Sequence, residues 1–588
     1  MTENSKLVAG AVVQRLIIER FRGIKSLTWY PKPNLNLILG GGDVGKSTIL
    51  EAVALLLSPT NTTVLTDSDY FQRNVDGGFL IEAVMSLPAG TGIHQQTKMS
   101  WPWEWDGKQP VQPGHDENSE APPPREMVYR LRVQGTSELD LNYEIFQPNG
   151  SVDNLNVGLR RAIGLVRLGG DDRNDRDLRL VQGSALDRLL ADKGVRARLG
   201  QQLAAENISS HLSQDAKEKL ATLDTTFEVR ALPSELGLGL TGGQGFSLGA
   251  LVGLTSTKDE VALPMASWGA GTRRLAALAI AASLQGGRPI TVVDEVERGL
   301  EPYRQRSLIN ELAHSGSQVF LTTHSAAAIS AAKDASLWYV DSLSRIGALD
   351  RAKVGRHQET DPETLLARLT IAAEGKTEMG FSKFLLDRAI KVPLLDHGVC
   401  LTYGAGNDAV LTLLEGLAEG GLRFGGFVDN EGRNPGRWAA VKKKLGPLMF
   451  QWKIGCAEDN VIPTIDVDML EEFIRDPDGD KTGMRLRTLA DRLGIQEKDF
   501  TSISAKAQCD LVTLIMEAAL GKVPDGADDA TKKQFKGHAS CWFKSVEGGH
   551  ELADKALRLG GRKKLEEQLL PFVNAVCQAI HLPTVTAL

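Results

Sequence analysis

A glycine-rich loop between two apolar segments constrains the fold of this chain more than any other feature. Residues 40–48 are Gly-Gly-Gly-Asp-Val-Gly-Lys-Ser-Thr, which matches G-x-x-x-x-G-K-[ST] at every required position. The apolar residues before the loop predict a buried strand, and those after it predict a helix. In that context the loop N–H groups and the helix N-terminus bind phosphate, and a glycine turn that binds nothing is the weaker alternative. The residues predicted to hold a nucleotide with Mg²⁺ are Gly40, Gly45, Lys46, Ser47 and Thr48.

Length and composition indicate a globular chain of several domains. With 588 residues the chain is too long for one hydrophobic core, which predicts about two to four domains. No apolar stretch approaches the roughly 20 residues that span a bilayer, and the N-terminus lacks the apolar core of a signal peptide. The five cysteines form no C-x-x-C pair, so neither a disulfide framework nor a zinc site is expected. We therefore expect a cytoplasmic protein without a membrane partner. Its net charge of −7 argues against a uniformly basic surface but not against a local basic groove.

Three later segments contain residue types that suit a nucleotide-binding site. Ser267 and Gly269 precede an Ala/Leu-rich helix, where small residues favour phosphate binding. Asp294 and Glu295 end an apolar strand, where an acidic pair can hold the Mg²⁺ shell and orient water. His324 follows a further strand and can contact a γ-phosphate. Each segment alone is weak evidence, because acids often cap helices and a single histidine is more often structural. Their order along the chain is the informative part.

This order resembles the ABC-type ATPase head, which we assign to residues 1–345. Residues 294–302, Asp-Glu-Val-Glu-Arg-Gly-Leu-Glu-Pro, look like the acidic segment of the OLD (overcoming lysogenisation defect) family and of related RecF- and SMC-like heads. The resemblance implies that two heads sandwich ATP, with the Ser267 loop of one subunit completing the site at Lys46 of the other. A homodimer or higher homo-oligomer is therefore expected. Helical patterns at about residues 170–230 suggest an inserted dimerisation region, and helices packed on their own domain remain the alternative.

A second repeating pattern of strands and helices begins after residues 346–365, whose polar sequence predicts a linker. This pattern predicts a parallel sheet covered by helices, and ligands of such sheets bind beyond the carboxyl ends of the strands. Glu374 and Glu378 follow its first strand, and Asp429 and Glu431 follow its third. Crowded carboxylates repel unless a cation neutralises them, and oxygen ligands without His or Cys suit Mg²⁺ or Mn²⁺. Two such ions about 4 Å apart can cleave a phosphodiester bond, although either acidic pair alone is more often a helix cap.

The order Glu-Gly-x-x-Glu after one strand and Asp-x-Glu after another resembles a TOPRIM domain, the fold shared by topoisomerases, primases and OLD-family nucleases. We assign it to residues 366–588, with a C-terminal helical part. The resemblance implies a further metal-binding acid and a late lysine. Glu458, Glu471 and Asp510 are the candidates for the acid, and Glu458 is preferred for its place after the fourth strand. Lys544 lies in a Trp-Phe-Lys segment like that of the family and would stabilise charge on the scissile phosphate, a surface lysine being the alternative.

Together the resemblances predict an α/β protein in which an ABC/SMC-like P-loop ATPase domain precedes a TOPRIM nuclease domain. The implied function is an ATP-regulated DNA endonuclease that uses two metal ions, with Lys544, Glu374 and Glu295 as catalytic residues. DNA is the implied substrate, and phage defence, with or without a defence-system partner protein, is implied by analogy. The open alternative is a non-nucleolytic, ATP-switched DNA-binding protein of RecF/SMC type. A topoisomerase is disfavoured because no tyrosine nucleophile follows Tyr403.

Overall fold

A computed structural model describes most of the chain. The described residues are 10–588 except 62, 94–99, 114–124, 169–175, 182–183, 191–197, 199–211, 230–251, 259–260, 283–287, 342, 405, 420–423, 477–478, 480 and 508–509. A large part of the helical region predicted at residues 170–230 lies outside them, so its role in dimerisation stays a prediction. Within the described ranges, no helix is both long enough and apolar enough to cross a bilayer.

The chain separates into two compact units. Unit 1 consists of Met1–Arg22, Tyr30–Leu35 and Leu50–Leu321, and unit 2 consists of Gly23–Trp29, Asn36–Ile49 and Thr322–Leu588. By its contacts, the glycine-rich loop therefore belongs to the unit that also contains the C-terminal half of the chain.

The strands are short, and most of their inward positions are apolar. In chain order they are β1 (Val12–Phe21), β2 (Ile24–Trp29), β3 (Leu35–Leu39), β4 (Phe79–Ser86), β5 (Trp103–Trp105), β6 (Pro110–Val111), β7 (Met127–Gly135), β8 (Leu141–Phe146), β9 (Val152–Asn154), β10 (Leu165–Leu168), β11 (Thr255–Lys258), β12 (Val261–Pro264), β13 (Ile290–Val293), β14 (Val319–Thr322), β15 (Ser336–Val340), β16 (Ile346–Leu349), β17 (Leu369–Ala373), β18 (Val399–Tyr403), β19 (Gly425–Val428) and β20 (Met449–Gln451).

The α-helices become more frequent toward the C-terminus. They are α1 (Lys46–Leu56), α2 (Val157–Ile163), α3 (Ala185–Leu190), α4 (Gln214–Val229), α5 (Ala270–Ala282), α6 (Pro302–His314), α7 (Ala326–Ala331), α8 (Arg351–Thr360), α9 (Lys376–Ile390), α10 (Asn407–Glu419), α11 (Pro435–Leu445), α12 (Ala457–Val461), α13 (Leu470–Ile474), α14 (Thr482–Leu493), α15 (Phe500–Ala507), α16 (Leu511–Leu520), α17 (Asp529–His538), α18 (Val546–Arg558) and α19 (Arg562–Ala579).

Unit 1 combines an antiparallel sheet with parallel strands. The antiparallel sheet has the order β1-β4-β7-β5-β6, and β8 pairs with β7 and with β9. Strands β10, β13 and β14 are neighbours in that order and are parallel. All four residues of β13 are buried, which explains the unbroken apolar run in its sequence. Because β13 ends at Val293, the acidic pair that follows lies at its carboxyl end.

Unit 2 contains the predicted parallel α/β sheet. Its four strands have the order β18-β17-β19-β20 and are all parallel, which confirms the strand–helix pattern inferred from the sequence. Their carboxyl ends therefore lie at one edge, where Glu374 follows β17 and Asp429 follows β19. On one face of the sheet Phe427 stacks on Phe381 of α9 at 5.8 Å and meets Phe572 of α19 at 5.5 Å. The remaining strands of this unit include β3, which is parallel to β15, and β16, which is antiparallel to β15.

The segment predicted as a linker, residues 346–365, is folded. It contains β16 and α8, and its helix buries Val354, His357 and Gln358. The Gln358 amide donates to the carbonyl oxygens of Ile329 and Ala332 at 2.9 and 3.0 Å. Apolar periodicity could not indicate this helix, because two of its three buried residues are polar.

Two glycines allow α9 and α18 to pack backbone against backbone. A Cβ atom at Gly380 would lie 1.9 Å from the carbonyl oxygen of Val546, and one at Gly549 would lie 2.0 Å from that of Thr377. No side chain fits at such distances, so both positions require glycine. This contact fixes the start of α18, and with it Lys544, against the start of α9, which contains Glu378.

Candidate functional site

The glycine-rich loop connects β3 to α1 as the sequence predicted. Gly40 and Gly45 have φ angles of +137° and +100°, in a region that favours glycine. Lys46 is buried, and its Nζ donates to the carbonyl oxygens of Gly40 and Gly41 at 2.9 and 2.6 Å. Lys46 is the first residue of α1, and Ser47 and Thr48 follow it in the first turn. The loop thus has the strand before it, the helix after it and the positive-φ glycines that its motif requires.

The acidic segment after β13 is bound to the helix that follows the Ser267 loop. Arg274 of α5 donates to the carbonyl oxygens of Asp294 at 2.6 Å, Glu295 at 2.8 Å and Arg298 at 2.9 Å. Burial lowers the pKa of Arg274, which nevertheless faces several acids of this segment. These contacts of Arg274 were not predicted from the sequence, although Arg274 lies only five residues after Gly269.

The small residues in this part of unit 1 permit close contact. A Cβ atom at Gly271 would lie 2.2 Å from the carbonyl oxygen of Gly299, so the start of α5 and the acidic segment touch directly. Ser267 donates to the carbonyl oxygen of Pro264 at 2.6 Å, and Gly269 immediately precedes α5. His324 belongs to unit 2 and is exposed at the segment that leads into α7.

Four acidic side chains are buried near the carboxyl ends of β17 and β19. They are Glu374, Glu378, Asp429 and Glu458, and we call them, with Lys544, the acidic cluster. Glu374 Oε2 accepts from Asn407 Nδ2 at 2.9 Å and from the N–H of Asp429 at 3.2 Å, which joins the ends of the two strands. Buried carboxylates are costly, so four in one place indicate a site rather than a core.

The carboxyl groups of the cluster raise one another's pKa values, because their negative charges repel. Burial raises the pKa of Asp429, and the carboxylates of Glu378 and Glu374 raise it further. Burial also raises the pKa of Glu378 to about 7, with Glu458 adding to the effect. Burial raises the pKa of Glu374 as well, although its hydrogen bonds oppose the shift. Mutual repulsion of this kind is relieved by a bound cation.

Lys544 brings a positive charge to the cluster. Its Nζ donates to Glu458 Oε1 at 2.7 Å, while its side chain remains 42% exposed. Burial by itself lowers the pKa of Lys544. The Glu458 carboxylate raises this pKa by more, so the net shift is upward. The preceding Phe543 is fully buried, and its carbonyl oxygen accepts from Thr377 Oγ1 at 2.8 Å. Lys544 thus follows a residue fixed in the core, and its partly exposed side chain ends in a hydrogen bond to the buried Glu458.

A buried ion network supports the Trp-Phe-Lys segment. Arg485, which is fully buried, binds Glu551 through two nitrogens at 2.6 and 2.7 Å and donates to the carbonyl oxygen of Cys541 at 3.0 Å. Its guanidinium also lies 5.3 Å from the ring of Trp542 and 5.2 Å from that of Phe543. Lys555 donates to Glu551 at 2.6 Å. The sequence did not indicate this network, because Arg485 lies 66 residues before Glu551 along the chain.

Three predicted ligands lie elsewhere or at the rim of the cluster. Glu431 is exposed and pairs with Arg433 at 3.5 Å. Glu471 is exposed on α13 and pairs with Arg475 at 2.8 Å, and Asp510 is exposed before α16. Because Glu458 is buried beside Lys544, the geometry favours it over Glu471 and Asp510 as the late acid.

The donor set of the cluster fits a hard divalent cation. Every charged acceptor in it is a carboxylate oxygen, as Mg²⁺ and Mn²⁺ prefer. Asp429 Oδ1 is buried without a hydrogen-bond partner among the described residues, and a cation would satisfy it. In the part of the chain that the structure describes, no group of three or more His, Cys, Asp or Glu side chains is arranged so that it could hold a metal ion as it stands, so the carboxylates of the cluster would have to move closer together on binding one.

Comparison with known proteins identifies the N-terminal half. Residues 35–330 match the family model described as "AAA domain, putative AbiEii toxin, Type IV TA system". Among solved structures, an SMC head bound to the C-winged helix domain of ScpA is 14% identical, with 58% of this chain and 99% of that chain covered and a TM-score of 0.35. The recombination mediator protein RecF, in a structure described as RecF-ATPrS, is 13% identical, with 58% of this chain and 99% of that chain covered and a TM-score of 0.33. The SMC head of Thermotoga maritima is 14% identical, with 57% and 99% covered and a TM-score of 0.27. No curated protein matches the chain.

Proposed function

The chain belongs to the family of AAA domains described as putative AbiEii toxin, Type IV TA system, and we propose that it is an ATP-regulated, divalent-metal-dependent DNA endonuclease of the OLD family. The family match gives residues 35–330 as a P-loop ATPase domain, with the ATP binding that this fold implies. The nuclease activity and the TOPRIM assignment of residues 366–588 are our proposals.

One observation supports the nuclease activity above all others. Glu374, Glu378, Asp429 and Glu458 are buried together at the strand ends of a parallel sheet, with Lys544 bound to Glu458. A protein that only bound DNA would have no need to bury four acids, since they repel the phosphate backbone. A metal-dependent nuclease needs such a set, because the metal ions must be held while one face stays open to the phosphate.

Each side chain of the cluster has a proposed role. Glu374, Glu378, Asp429 and Glu458 would hold two Mg²⁺ or Mn²⁺ ions, with Glu431 at the exposed rim. The ions would supply the Lewis acid that activates water and neutralises phosphate charge. Lys544 can exchange its contact with Glu458 for a phosphate oxygen, because its side chain is partly exposed. It would then stabilise the charge that grows on the scissile phosphate.

The ATPase domain would control this activity. Lys46 and Ser47 would bind the phosphates and Mg²⁺, Asp294 and Glu295 would act in hydrolysis, and His324 would contact the γ-phosphate. In a homodimer the loop with Ser267 and Gly269 would complete the site of the partner subunit. We also propose a role in phage defence, alone or with a partner protein. The family description names a putative toxin, and a DNA nuclease without control would be toxic to its own cell.

The direct test is cleavage of supercoiled plasmid with Mg²⁺ or Mn²⁺, with and without ATP. We expect the intact chain to cut the plasmid, EDTA to stop the reaction, and Lys46→Ala to cut without responding to ATP. Loss of the Lys46 ammonium should weaken ATP binding about tenfold or more, because charge-assisted bonds to phosphate are lost. Nucleotide titration of both proteins checks this weakening separately.

A different outcome would support the other candidate. If neither metal supports cutting and DNA is nevertheless retained in an ATP-dependent way, the chain is an ATP-switched DNA-binding protein of RecF/SMC type. Retention that is unchanged in Lys544→Ala would strengthen that conclusion, since a binding protein does not need a lysine aimed at a scissile phosphate.

The raised pKa values in the cluster predict a stability change for Asp429→Asn. A carboxyl group whose pKa is raised on folding stabilises the fold below its unfolded pKa, and this stabilisation is lost as the pH rises through the folded pKa. The metal-free protein should therefore lose stability above about pH 5, where unfolded carboxyl groups are ionised. We expect Asp429→Asn to raise the melting temperature in EDTA at pH 8 by about 2–4 °C, because folding of the variant no longer requires this carboxyl group to take up a proton.

The same variant should lose the response to metal. Mn²⁺ is expected to raise the melting temperature of the intact protein, and more at pH 8 than at pH 6, because cations compete with protons for these carboxylates. Thermal unfolding in EDTA and in Mn²⁺ at both pH values measures the effect. Glu471→Gln, which neutralises an exposed acid, is the matched control and should behave as the intact protein. An unchanged Mn²⁺ response in Asp429→Asn would contradict the assignment of the cluster as the metal site.

A further inference from the structure

Arg368 lies against the phosphate loop although it belongs to the C-terminal sheet. It is the residue before β17, and its N–H donates to the carbonyl oxygen of Gly398 at 2.8 Å. A Cβ atom at Gly41 would lie 2.5 Å from Arg368 Cγ and 2.9 Å from its Cα. A Cβ atom at Gly398 would lie 2.7 Å from the same Cγ. The aliphatic part of Arg368 is therefore held between two glycines, one of which is in the phosphate loop.

The backbone around Arg368 is fixed with respect to that loop. The hydroxyl group of Tyr339 donates to the carbonyl oxygen of Ala367, the residue before Arg368. Tyr339 lies on β15 opposite Leu39, the last residue of β3, from which the phosphate loop begins. All these residues belong to unit 2. Movement of the loop at Gly41 would therefore press on Arg368 rather than be absorbed by a flexible segment.

The charged end of Arg368 is available to a ligand. The residue is exposed, and among the described residues its guanidinium makes no hydrogen bond or ion pair. A Cβ atom at Gly398 would also lie 2.9 Å from Arg368 Cδ, so the side chain passes Gly398 beyond its contact with Gly41. Rotation about the bonds beyond Cγ can bring the guanidinium toward phosphates bound by the loop. Arginine suits this role, since its planar donor group matches phosphate oxygens.

The hydrogen bonds of Lys46 indicate how the loop would respond to a bound phosphate group. Its ammonium group donates to the carbonyl oxygens of Gly40 and of Gly41, and Gly41 is the loop residue that contacts Arg368. Phosphates in the loop would compete with these carbonyls for the ammonium group. Binding of a nucleotide therefore changes the contacts of Gly41, the residue against which the Arg368 stem is packed.

From this geometry we infer that Arg368 senses the nucleotide: its guanidinium binds the terminal phosphate of a nucleoside triphosphate held by the phosphate loop. A diphosphate lacks that group and leaves Arg368 unengaged. Arg368 is joined to Glu374 of the acidic cluster by β17 alone, so its position sets the position of a proposed metal ligand. This second step rests on the proposed function, whereas recognition of the terminal phosphate does not.

The test compares two variants that keep the stem. Arg368→Gln retains methylene groups between the two glycines but removes the positive charge. Arg368→Lys retains the methylene groups and the positive charge. Titration of the full chain with the non-hydrolysable triphosphate AMP-PNP and with ADP, both with Mg²⁺, should show about tenfold weaker AMP-PNP binding for Arg368→Gln. ADP binding should change less than about twofold, and Arg368→Lys should lose less than Arg368→Gln. Arg388→Gln, an exposed arginine on α9, is the matched control and should bind both nucleotides as the intact chain does.

Two results would overturn the inference. The first is a ratio of AMP-PNP to ADP affinity in Arg368→Gln that is the same as in the intact chain. The second is an equal loss of affinity for both nucleotides in Arg368→Gln and in Arg368→Lys, which would indicate that Arg368 acts by packing alone. Plasmid cleavage distinguishes this failure from failure of the proposed function. If the intact chain cuts DNA and Arg368→Gln still responds to ATP, only the sensing role fails. If no variant cuts DNA, the nucleotide titrations alone decide whether Arg368 recognises the terminal phosphate.

Discussion

Replacement of Lys544 with glutamine is expected to slow plasmid cleavage by about 10²–10³-fold. The ammonium group of Lys544 is the positive charge beside the buried acids of the cluster, and the lysine side chain is partly exposed. Glutamine keeps a hydrogen-bond donor near Glu458 but removes the charge that would stabilise the phosphate in the transition state. The rate should therefore fall at saturating DNA, with a smaller change in the DNA concentration that gives half the maximal rate.

The controls separate this loss from damage to the fold. Lys544→Gln should keep the rise in melting temperature with Mn²⁺ and should hydrolyse ATP as the intact chain does. Lys522 also pairs with a glutamate, Glu517 at 3.5 Å, but on an exposed surface, and Lys522→Gln should leave cleavage unchanged. If Lys544→Gln cuts DNA at the normal maximal rate and only binds it more weakly, Lys544 is a DNA contact rather than a catalytic residue.

Replacement of Glu551 with alanine is expected to destabilise the C-terminal part of the chain by about 3–5 kcal/mol. Glu551 accepts from both nitrogens of the Arg485 fork and from Lys555, and these two cations are 0% and 2% exposed. Alanine would leave two buried positive charges without their carboxylate. Burial already lowers the pKa of Lys555, so this amine would lose its proton more readily in the variant.

Denaturant unfolding followed by tryptophan fluorescence measures this effect, because Trp542 packs on Arg485. Glu517→Ala is the control, since its pair with Lys522 is exposed and is expected to contribute no more than about 1 kcal/mol. Glu551→Ala should also lose cleavage, because the segment that holds Lys544 depends on Arg485. Unfolding of Glu551→Ala at the same denaturant concentration as the intact chain would show that the network is not needed for the fold.

Features that depend on residues close together in the sequence were predictable from the sequence. The bounds of β17, β18 and α11 agree with the apolar and polar pattern, and the glycine-rich loop lies between a strand and a helix as its motif requires. The convergence of Glu374 and Asp429 was also predictable, since both follow strands of one parallel sheet and strand ends share an edge.

Other features depend on contacts between distant residues and gave no local signal. Our proposal of Glu458 rather than Glu471 as a ligand rests on its burial beside Lys544, which is 86 residues away along the chain. Glu431 was an expected ligand because it alternates with Asp429, yet the chain turns outward after β19 and leaves it exposed. Arg274, Arg485 and Arg368 were missed because an arginine is ordinarily a surface residue, and only the folded chain shows what each contacts.

The crossing of α9 and α18 at Gly380 and Gly549 also affects the order of events during protein synthesis. It is stabilised by a hydrogen bond from Thr377 to Phe543, across 166 residues of chain. At typical rates of translation the ribosome needs on the order of ten seconds to make this stretch. The acids after β17 thus leave the ribosome well before Lys544 and the helix that positions it. Any cutting that needs Lys544 can begin only after Lys544 and α18 have left the ribosome, so a product that ends before Lys544 would be harmless to the DNA around it.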